Sequence, residues 1–281
     1  MTNTLDPASD SVTRVREHYR ATGLTERLRT ALLALGPEEQ RLTPQKLAQL
    51  DQFHTRGLAA TDDLARIAGI TSGDLVLDIG SGVGGPARFL AATCDCSVVG
   101  VDLSAEFTEA ARYLTERTGQ TDRVSFETGD ALQLPVEDGH FDVVILQHVA
   151  MNIADRTRLY REVRRVLKGG GRFAIYDIVA GQDEPHFPVP WAQTPQTSFL
   201  LTEAQTLDAV EKAGFRTLVW QDQTDTAKAW FAQASASGPP PAPNLGLVIG
   251  PDFPRVIANL ARNLMEGRVG VLAAVFEAAP I

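Results

Sequence analysis

The sequence lacks the features that define secreted disulfide-rich proteins and membrane proteins. It has only two cysteines, Cys94 and Cys96, which are one residue apart. A bridge between them would be strained, so we expect reduced thiols in a reducing compartment. No apolar run approaches the roughly 18 residues that span a bilayer. The first ten residues, MTNTLDPASD, lack the apolar centre of a signal peptide. We therefore expect a cytoplasmic protein without a membrane segment.

Basic residues are also scarce. The chain has 26 lysines and arginines against 35 aspartates and glutamates, a formal net charge of -9. Nucleic-acid binding normally requires a basic face that displaces counterions from phosphates. The one basic stretch ends at Lys168, where we expect the solvated end of a helix. Two thiols without a neighbouring histidine pair also make a poor metal site. We expect neither a nucleic-acid partner nor a bound metal.

Short apolar segments that end in glycine or acidic residues alternate with amphipathic segments through the middle of the chain. Five of these apolar segments are typical of buried strands: Asp74–Gly80, Ser97–Ser104, Val124–Asp130, Phe141–His148 and Arg172–Val179. The segment over residues 155–171, DRTRLYREVRRVLKGGG, has the pattern of an amphipathic helix that ends at glycines. Strands that alternate with helices in this way predict a doubly wound, Rossmann-like α/β sheet.

Two further strands are predicted near the end of the chain, which gives about seven in all. Residues 1–70 have helical periodicity and form, by our interpretation, an N-terminal helical lid that carries the aromatic pairs His18-Tyr19 and Phe53-His54. Residues 71–281 form the core. A helical insertion at about 224–267, with a proline-rich linker, separates the last two strands.

The segment VLDIGSGVGG contains the pattern Gly80-x-Gly82-x-x-Gly85 directly after the first predicted strand. Glycine at these places allows a tight turn and a close approach of ligand to backbone. Asp102, which ends the second predicted strand, is placed to hold both hydroxyls of a ribose. This pattern fits NAD and S-adenosylmethionine (SAM) equally well.

Three features favour SAM. Asp78 lies inside the first strand, where its carboxylate would repel a pyrophosphate but would suit a cationic amino or sulfonium group. Asp130 ends the third strand and could accept the exocyclic amine of an adenine. The long helical segment before the first strand, with no substrate domain after the nucleotide-binding half, is unlike a dehydrogenase. An NAD-dependent oxidoreductase and a non-catalytic SAM-binding protein are the alternatives.

From Val76 to Val179 the sequence resembles the SAM-binding core of class I methyltransferases. It is most similar to the branch with the ubiquinone/menaquinone C-methyltransferases and the sarcosine/dimethylglycine N-methyltransferases. The resemblance covers roughly residues 45–280, and residues 251–278 are similar to the end of the sarcosine/dimethylglycine enzymes. It implies an enzyme that transfers a methyl group from SAM to a small-molecule N, O or C nucleophile and releases S-adenosyl-L-homocysteine.

The resemblance also implies which residues bind SAM. Asp78 and the glycine turn would meet its methionine end, Asp102 its ribose, and Asp130 the edge of its adenine. Gln147 would lie beside the sulfonium. The complete implied set is Thr61, Asp78, Gly80, Ser81, Gly82, Asp102, Leu103, Asp130, Ala131 and Gln147.

Candidates for the chemistry follow the fourth and fifth strands, because ligands of a doubly wound sheet sit beyond the carboxyl ends of its strands. His148 is the first candidate base, since its unperturbed pKa lies near neutrality. Asp177 is the second, and Asn152 could hold a substrate oxygen. The resembled families often have an acid at the position of His148 and a histidine at that of Asn152, so the chain departs from them here. A homodimer is the default expectation for such an enzyme.

Overall fold

The computed structural model describes residues 7–38, 40–238 and 243–279. Within them a single sheet has seven strands: β1 Leu75–Ile79, β2 Ser97–Asp102, β3 Val124–Thr128, β4 Phe141–Gln147, β5 Leu167–Ala180, β6 Phe215–Asp222 and β7 Val269–Ala278. Their order is β3-β2-β1-β4-β5-β7-β6. The first five strands in that order are parallel, and β7 runs antiparallel to both of its neighbours. The predicted seven-stranded, Rossmann-like α/β fold is confirmed.

Four helices precede the sheet: α1 Pro7–His18, α2 Leu24–Leu32, α3 Pro44–Asp51 and α4 Leu58–Ala68. The helices between the strands are α5 Gly85–Cys94, α6 Ala105–Thr118, α7 Arg156–Val166 and α8 Glu203–Lys212. The last three, α9 Thr224–Ser237, α10 Gly246–Ile249 and α11 Phe253–Met265, lie between β6 and β7. None of the described helices is long and apolar enough to cross a membrane.

The sheet is covered by apolar side chains on both faces. One cluster joins the strands to α4, α5, α9 and α11 through residues such as Leu64, Leu90 and Leu260. The other joins them to α7 and α8. Strands buried on both faces require nearly continuous apolar sequence, which is why they were recognisable. A third cluster packs α2 and α3 onto α6, with Leu28 and Leu47 fully buried. The helices α2 and α3 are therefore firmly packed on the core.

Two local predictions were wrong. The helix expected to reach Lys168 ends at Val166, and Leu167 begins β5. Leu167 is buried and pairs with Phe141 across an irregular register, so burial and strand pairing prevail over helical periodicity here. The proline-rich linker, which the sequence predicts over residues 237–243, begins one residue later because Ser237 ends α9, and α10 lies in a stretch for which we predicted no helix. Residues 239–242 of that linker lie outside the described residues.

The two cysteines are free thiols, as expected. Cys94 ends α5, and Cys96 is buried directly before β2. Burial raises the pKa of the Cys96 thiol to about 12, so it is inert at neutral pH. In the described part of the chain, no group of three or more His, Cys, Asp or Glu side chains is arranged to hold a metal.

Candidate active site

A cavity of about 260 Å³ opens at the carboxyl ends of β1, β2 and β4. The residues after these strands form one wall. Residues of α1, of the segment at Pro190 and Trp191, and of the insertion between β6 and β7 also line the cavity. The helices that the sequence suggested as a lid therefore do border the place where parallel strands end.

The glycine turn shapes the floor of the cavity. Gly80 has a φ of +72° and donates its N–H to the Val101 carbonyl at 2.7 Å. A Cβ atom on Gly80 would overlap the side chain of Val149. Gly85 lacks a side chain for another reason, because a Cβ there would overlap the backbone carbonyl of Asp51 in α3. Glycine at position 80 thus leaves room for the Val149 side chain at the cavity, and glycine at position 85 lets α5 pack closely against α3.

Asp102, the last residue of β2, faces the turn. Its Oδ2 accepts a hydrogen bond from the Gly82 N–H at 2.8 Å, and its Oδ1 accepts one from the Ser104 N–H at 2.9 Å. Burial raises the pKa of this carboxyl to about 6, although both backbone hydrogen bonds favour the charged form. A carboxylate fixed in this way at a strand end can still accept hydrogen bonds from two neighbouring hydroxyls of a ligand.

Asp78 is a buried carboxyl that lacks a partner. Its side chain lies beside the turn in β1 and is 2% exposed, and its Oδ2 makes no hydrogen bond to any described residue. The nearby Ser81 hydroxyl is buried and unpartnered as well. Burial, and then the charge of Asp102, raise the pKa of Asp78 to about 8. A cationic ligand group would satisfy this carboxylate, whereas a phosphate would oppose it.

The predicted adenine-binding residues line the neighbouring part of the cavity. Asp130 follows β3, and its Oδ1 accepts a hydrogen bond from the Leu132 N–H at 2.8 Å, which holds the loop in a tight turn. Leu103 and Ala131 border the same space. This gives an apolar slot with one acidic edge, next to Asp102.

Gln147 ends β4 and lines the cavity, but Thr61 does not. The Thr61 hydroxyl is buried in α4, 3.3 Å from the Gln147 side-chain oxygen and 3.0 Å from Nε2 of His54. His54 also reaches the Gly57 carbonyl at 3.0 Å. Burial lowers the pKa of His54 to about 4, so its ring is neutral. In this structure Thr61 therefore lies outside the cavity and orients Gln147 through its hydroxyl group.

The three candidates for the chemistry differ in position. His148 lines the cavity directly after β4, with a φ of +56°, and its ring stacks on Tyr176 at 5.5 Å between centroids. Asn152 also lines the cavity, and its Oδ1 accepts a hydrogen bond from the Tyr19 hydroxyl at 3.3 Å. Asp177 is buried and is not a lining residue.

The contacts of Asp177 are structural. Its Oδ2 accepts a hydrogen bond from the Ala150 N–H at 2.8 Å, and its Oδ1 accepts one from the Ile178 N–H at 3.0 Å. Burial raises the pKa of this carboxyl to about 6. Its oxygens hold the turn that follows β4, and this geometry does not support the role of base suggested from the sequence.

A buried ion pair beside the turn was missed by sequence reasoning. Arg88 in α5 is fully buried and donates to Oδ2 of Asp51, the last residue of α3, at 2.8 Å. It also donates to the Val83 carbonyl at 2.8 Å and the Ala111 carbonyl at 3.2 Å. Nothing in the helical pattern of the segment PARFLAAT distinguishes this arginine from a solvated one.

Comparisons with known proteins show similarity to methyltransferases. Residues 77–175 match the family model described as a methyltransferase domain. The chain is 35% identical over 171 residues to a sterol 24-C-methyltransferase of Eremothecium gossypii, a match that covers 58% of this chain and 45% of that protein. The chain spans about half or less of the length of the curated relatives it matches.

Two solved structures are similar along nearly the whole chain. The geranyl diphosphate C-methyltransferase from Streptomyces coelicolor A3(2) is 17% identical, with a TM-score of 0.70, and the match covers 98% of this chain and 100% of that one. The cyclase SpnF is 22% identical, with a TM-score of 0.68, and the match covers 96% and 97%. At these identities the similarity shows the fold alone.

Strand order separates the two cofactors that the glycine pattern left open. The dinucleotide-binding fold has the strand order 3-2-1-4-5-6 in a mostly parallel sheet. Here the antiparallel β7 lies between β5 and β6. Together with the unpartnered carboxyl of Asp78, this topology disfavours a dinucleotide whose pyrophosphate would lie at the glycine turn.

Proposed function

We propose that this chain, whose fold is that of the class I methyltransferases and whose residues 77–175 match a methyltransferase domain, methylates an uncharged small molecule with SAM. The observation that carries the proposal is the buried, unpartnered carboxyl of Asp78 beside the glycine turn. A ligand with a cationic amino and sulfonium end and no phosphate fits that feature. The finer branch implied by the sequence, that of the sarcosine/dimethylglycine and quinone enzymes, stays a prediction.

The residues present fit SAM. Asp78 and Ser81, with the turn backbone, would hold its cationic methionine end, and Asp102 its ribose. The slot beside Asp130 would hold the adenine, and Gln147 the region of the sulfonium. Bound there, SAM supplies a methyl group on a sulfonium, which is already a good leaving group. The protein then has to position the acceptor and exclude water.

The rest of the cavity favours an uncharged acceptor. Among its described lining residues, Arg20 is the only lysine or arginine, and that side chain is exposed. His54 and His148 are neutral because burial lowers the pKa of each. An acceptor with a phosphate or carboxylate would lose its hydration without gaining a buried cation. For the same reason this cavity disfavours the carboxylate-bearing amines that the C-terminal resemblance implied.

The N-terminal helices are proposed as the lid of this site. His18, at the end of α1, lies with its Nε2 3.0 Å from the Pro190 carbonyl, and Tyr19 bonds Asn152. These two contacts connect the end of α1 to the Pro190 segment and to the turn after β4. Closure of α1 would exclude water from the acceptor, which a transfer to carbon, nitrogen or oxygen requires.

Incubation with SAM labelled at the methyl group tests the proposal. The acceptors are neutral hydroxylated and carbonyl compounds, matched to anionic and cationic analogues, and products are detected by mass spectrometry. Labelled neutral products are expected. Binding of SAM without turnover would support a non-catalytic role, and binding of NAD in its place would support an oxidoreductase.

A light-scattering measurement of the same sample tests the expected homodimer.

SAM affinity is expected to depend on pH through Asp78. With a pKa of about 8 this carboxyl is mostly protonated at neutral pH in the free protein. A cationic ligand favours the ionised form, so binding at pH 7 should release about 0.9 proton from this group. Affinity should then rise with pH up to about 8, by up to about tenfold per unit. Calorimetry in two buffers of different ionisation enthalpy counts the protons.

Asp78→Asn is the control for this measurement. The amino group of the ligand titrates in a similar range, and it is already mostly protonated at pH 7 before it binds to either protein. The variant should bind more weakly at pH 8 and release about one proton fewer at pH 7. Equal proton release by the two proteins would contradict the assignment of Asp78.

A further inference from the structure

A chain of buried hydroxyl groups leads to the ring of His148. The Tyr176 hydroxyl lies 3.0 Å from the Thr55 hydroxyl, and the Thr55 hydroxyl lies 3.4 Å from Nε2 of His148. Tyr176 is 1% exposed and Thr55 is 3% exposed. The positive charge of the Arg56 guanidinium lies near the Tyr176 hydroxyl and favours the ionised phenol. Of Arg56, Tyr176, Thr55 and His148, only His148 lines the cavity.

The direction of these hydrogen bonds follows from what each group can do. A guanidinium only donates, so Arg56 cannot accept the Tyr176 O–H. The Tyr176 O–H must then donate, and in the described residues its one acceptor is the Thr55 oxygen. The Thr55 O–H in turn is left to donate to Nε2 of His148. Every hydroxyl proton in the chain has a partner in this arrangement.

The opposite direction leaves a donor unsatisfied. If Nε2–H of His148 donated to Thr55, and Thr55 to Tyr176, the buried Tyr176 O–H would have no acceptor among the residues that the structure describes. A buried donor without a partner costs roughly 1–3 kcal/mol. The ring itself is neutral, because burial and then nearby His54 lower the pKa of His148 well below its usual value. One of its nitrogens therefore carries a proton and the other does not.

We propose that Thr55 and Tyr176 fix His148 as the tautomer protonated at Nδ1, so that it offers the cavity a hydrogen-bond donor and not a base. Nδ1 makes no hydrogen bond to a described residue and is not among the fully buried unpartnered atoms, which places it at the cavity. The recognised group on the acceptor is an oxygen lone pair, as on a carbonyl or an ether. The assignment to the methyl acceptor rests on the proposed function, but the tautomer does not.

The tautomer can be measured without SAM or acceptor. In the ¹⁵N-labelled protein at neutral pH, the His148 ring is assigned by comparison with His148→Asn, and its nitrogen shifts and one-bond N–H couplings identify the protonated nitrogen. We expect protonation at Nδ1. Thr55→Val, which removes the hydroxyl, should shift the ring towards the Nε2–H form, and Thr55→Ser should restore Nδ1–H. Protonation at Nε2 in the unmodified protein overturns the proposal.

Two substitutions of His148 separate a donor from a base once an acceptor is found. The amide nitrogen of Asn can stand near the position of Nδ1, whereas that of Gln reaches towards Nε2, and neither amide is a base at neutral pH. Asn also tolerates the positive φ of this residue. We expect His148→Asn to keep turnover within about tenfold and His148→Gln to lose at least tenfold more. A large and equal loss in both variants, with melting temperatures unchanged, would assign His148 as a base and overturn the donor role. If no acceptor is methylated, the proposed function fails. The nitrogen shifts still test the proposed tautomer of His148, because they need neither SAM nor an acceptor.

Discussion

Asp102→Asn is expected to weaken SAM binding about 100-fold, or about 2.8 kcal/mol. The carboxylate has two oxygens, each held by one backbone N–H, with lone pairs left over for two ligand hydroxyls. Hydrogen bonds to a charged group contribute about 1.5–3 kcal/mol each, and an amide cannot accept on both atoms. The amide would also place a donor against Gly82 N–H or Ser104 N–H. Calorimetric titration at pH 8, where Asp102 is ionised, measures the loss.

Asp142→Asn is the matched control. Asp142 is a carboxylate of the same sheet that also accepts a backbone hydrogen bond, from the Leu75 N–H at 2.9 Å, and it pairs with Lys168. It lies at the start of β4, so it is at the edge of the sheet opposite the cavity. We expect SAM affinity unchanged within about twofold. An Asp102→Asn protein that binds as tightly as this control would remove Asp102 from the cofactor site.

Arg88→Ala is expected to lower the free energy of unfolding by about 3–5 kcal/mol, as when one partner of a buried ion pair is removed. The substitution leaves the Asp51 carboxylate buried, with only the Gln52 amide at 3.0 Å as a side-chain donor. It also leaves the carbonyls of Val83 and Ala111 without this donor. Urea unfolding followed by circular dichroism measures the change.

Two controls show whether the loss of stability in Arg88→Ala comes from the unpaired charge of Asp51. Lys212→Ala breaks an exposed pair with Asp208 and should cost less than about 0.5 kcal/mol. The double variant Asp51→Leu, Arg88→Met replaces both charges by apolar groups. It should unfold at a higher urea concentration than Arg88→Ala, since replacement of a whole buried pair is often neutral. A double variant less stable than Arg88→Ala would assign the loss to packing.

The sequence predicted the sheet and the position of the glycine turn because both depend on local patterns. Buried strands need apolar runs, and the turn at Gly80 needs glycine because of its own backbone conformation, whatever packs around it. The ends of β2 and β3 carry Asp102 and Asp130, which were recognisable from their place in the order of elements. Cofactor residues could therefore be proposed from one sequence, and their binding roles stay predictions until the titrations above are made.

Contacts between distant segments were not predictable. Asp51 and Arg88 are 37 positions apart, and neither segment shows that its charge is buried. The chain from Tyr176 through Thr55 to His148 joins β5 to the segment before α4, so only the folded chain shows which nitrogen of His148 is free. Asp177 illustrates the converse. A strand-end acid has the same pattern whether it faces a ligand or caps a turn.

The ion pair between α3 and α5 also bears on how a ligand enters and leaves. Separation of these helices would leave a buried charge without its partner, so α3 is a costly place for the site to open. By contrast, His18 at the end of α1 and Tyr19 directly after it are joined to the Pro190 carbonyl and to Asn152 by single hydrogen bonds, and Gly23 has a φ of +69° and open space around it. Exchange should therefore proceed by release of α1. A covalent tie between α1 and the Pro190 segment would lengthen the residence time of a bound ligand and slow its entry.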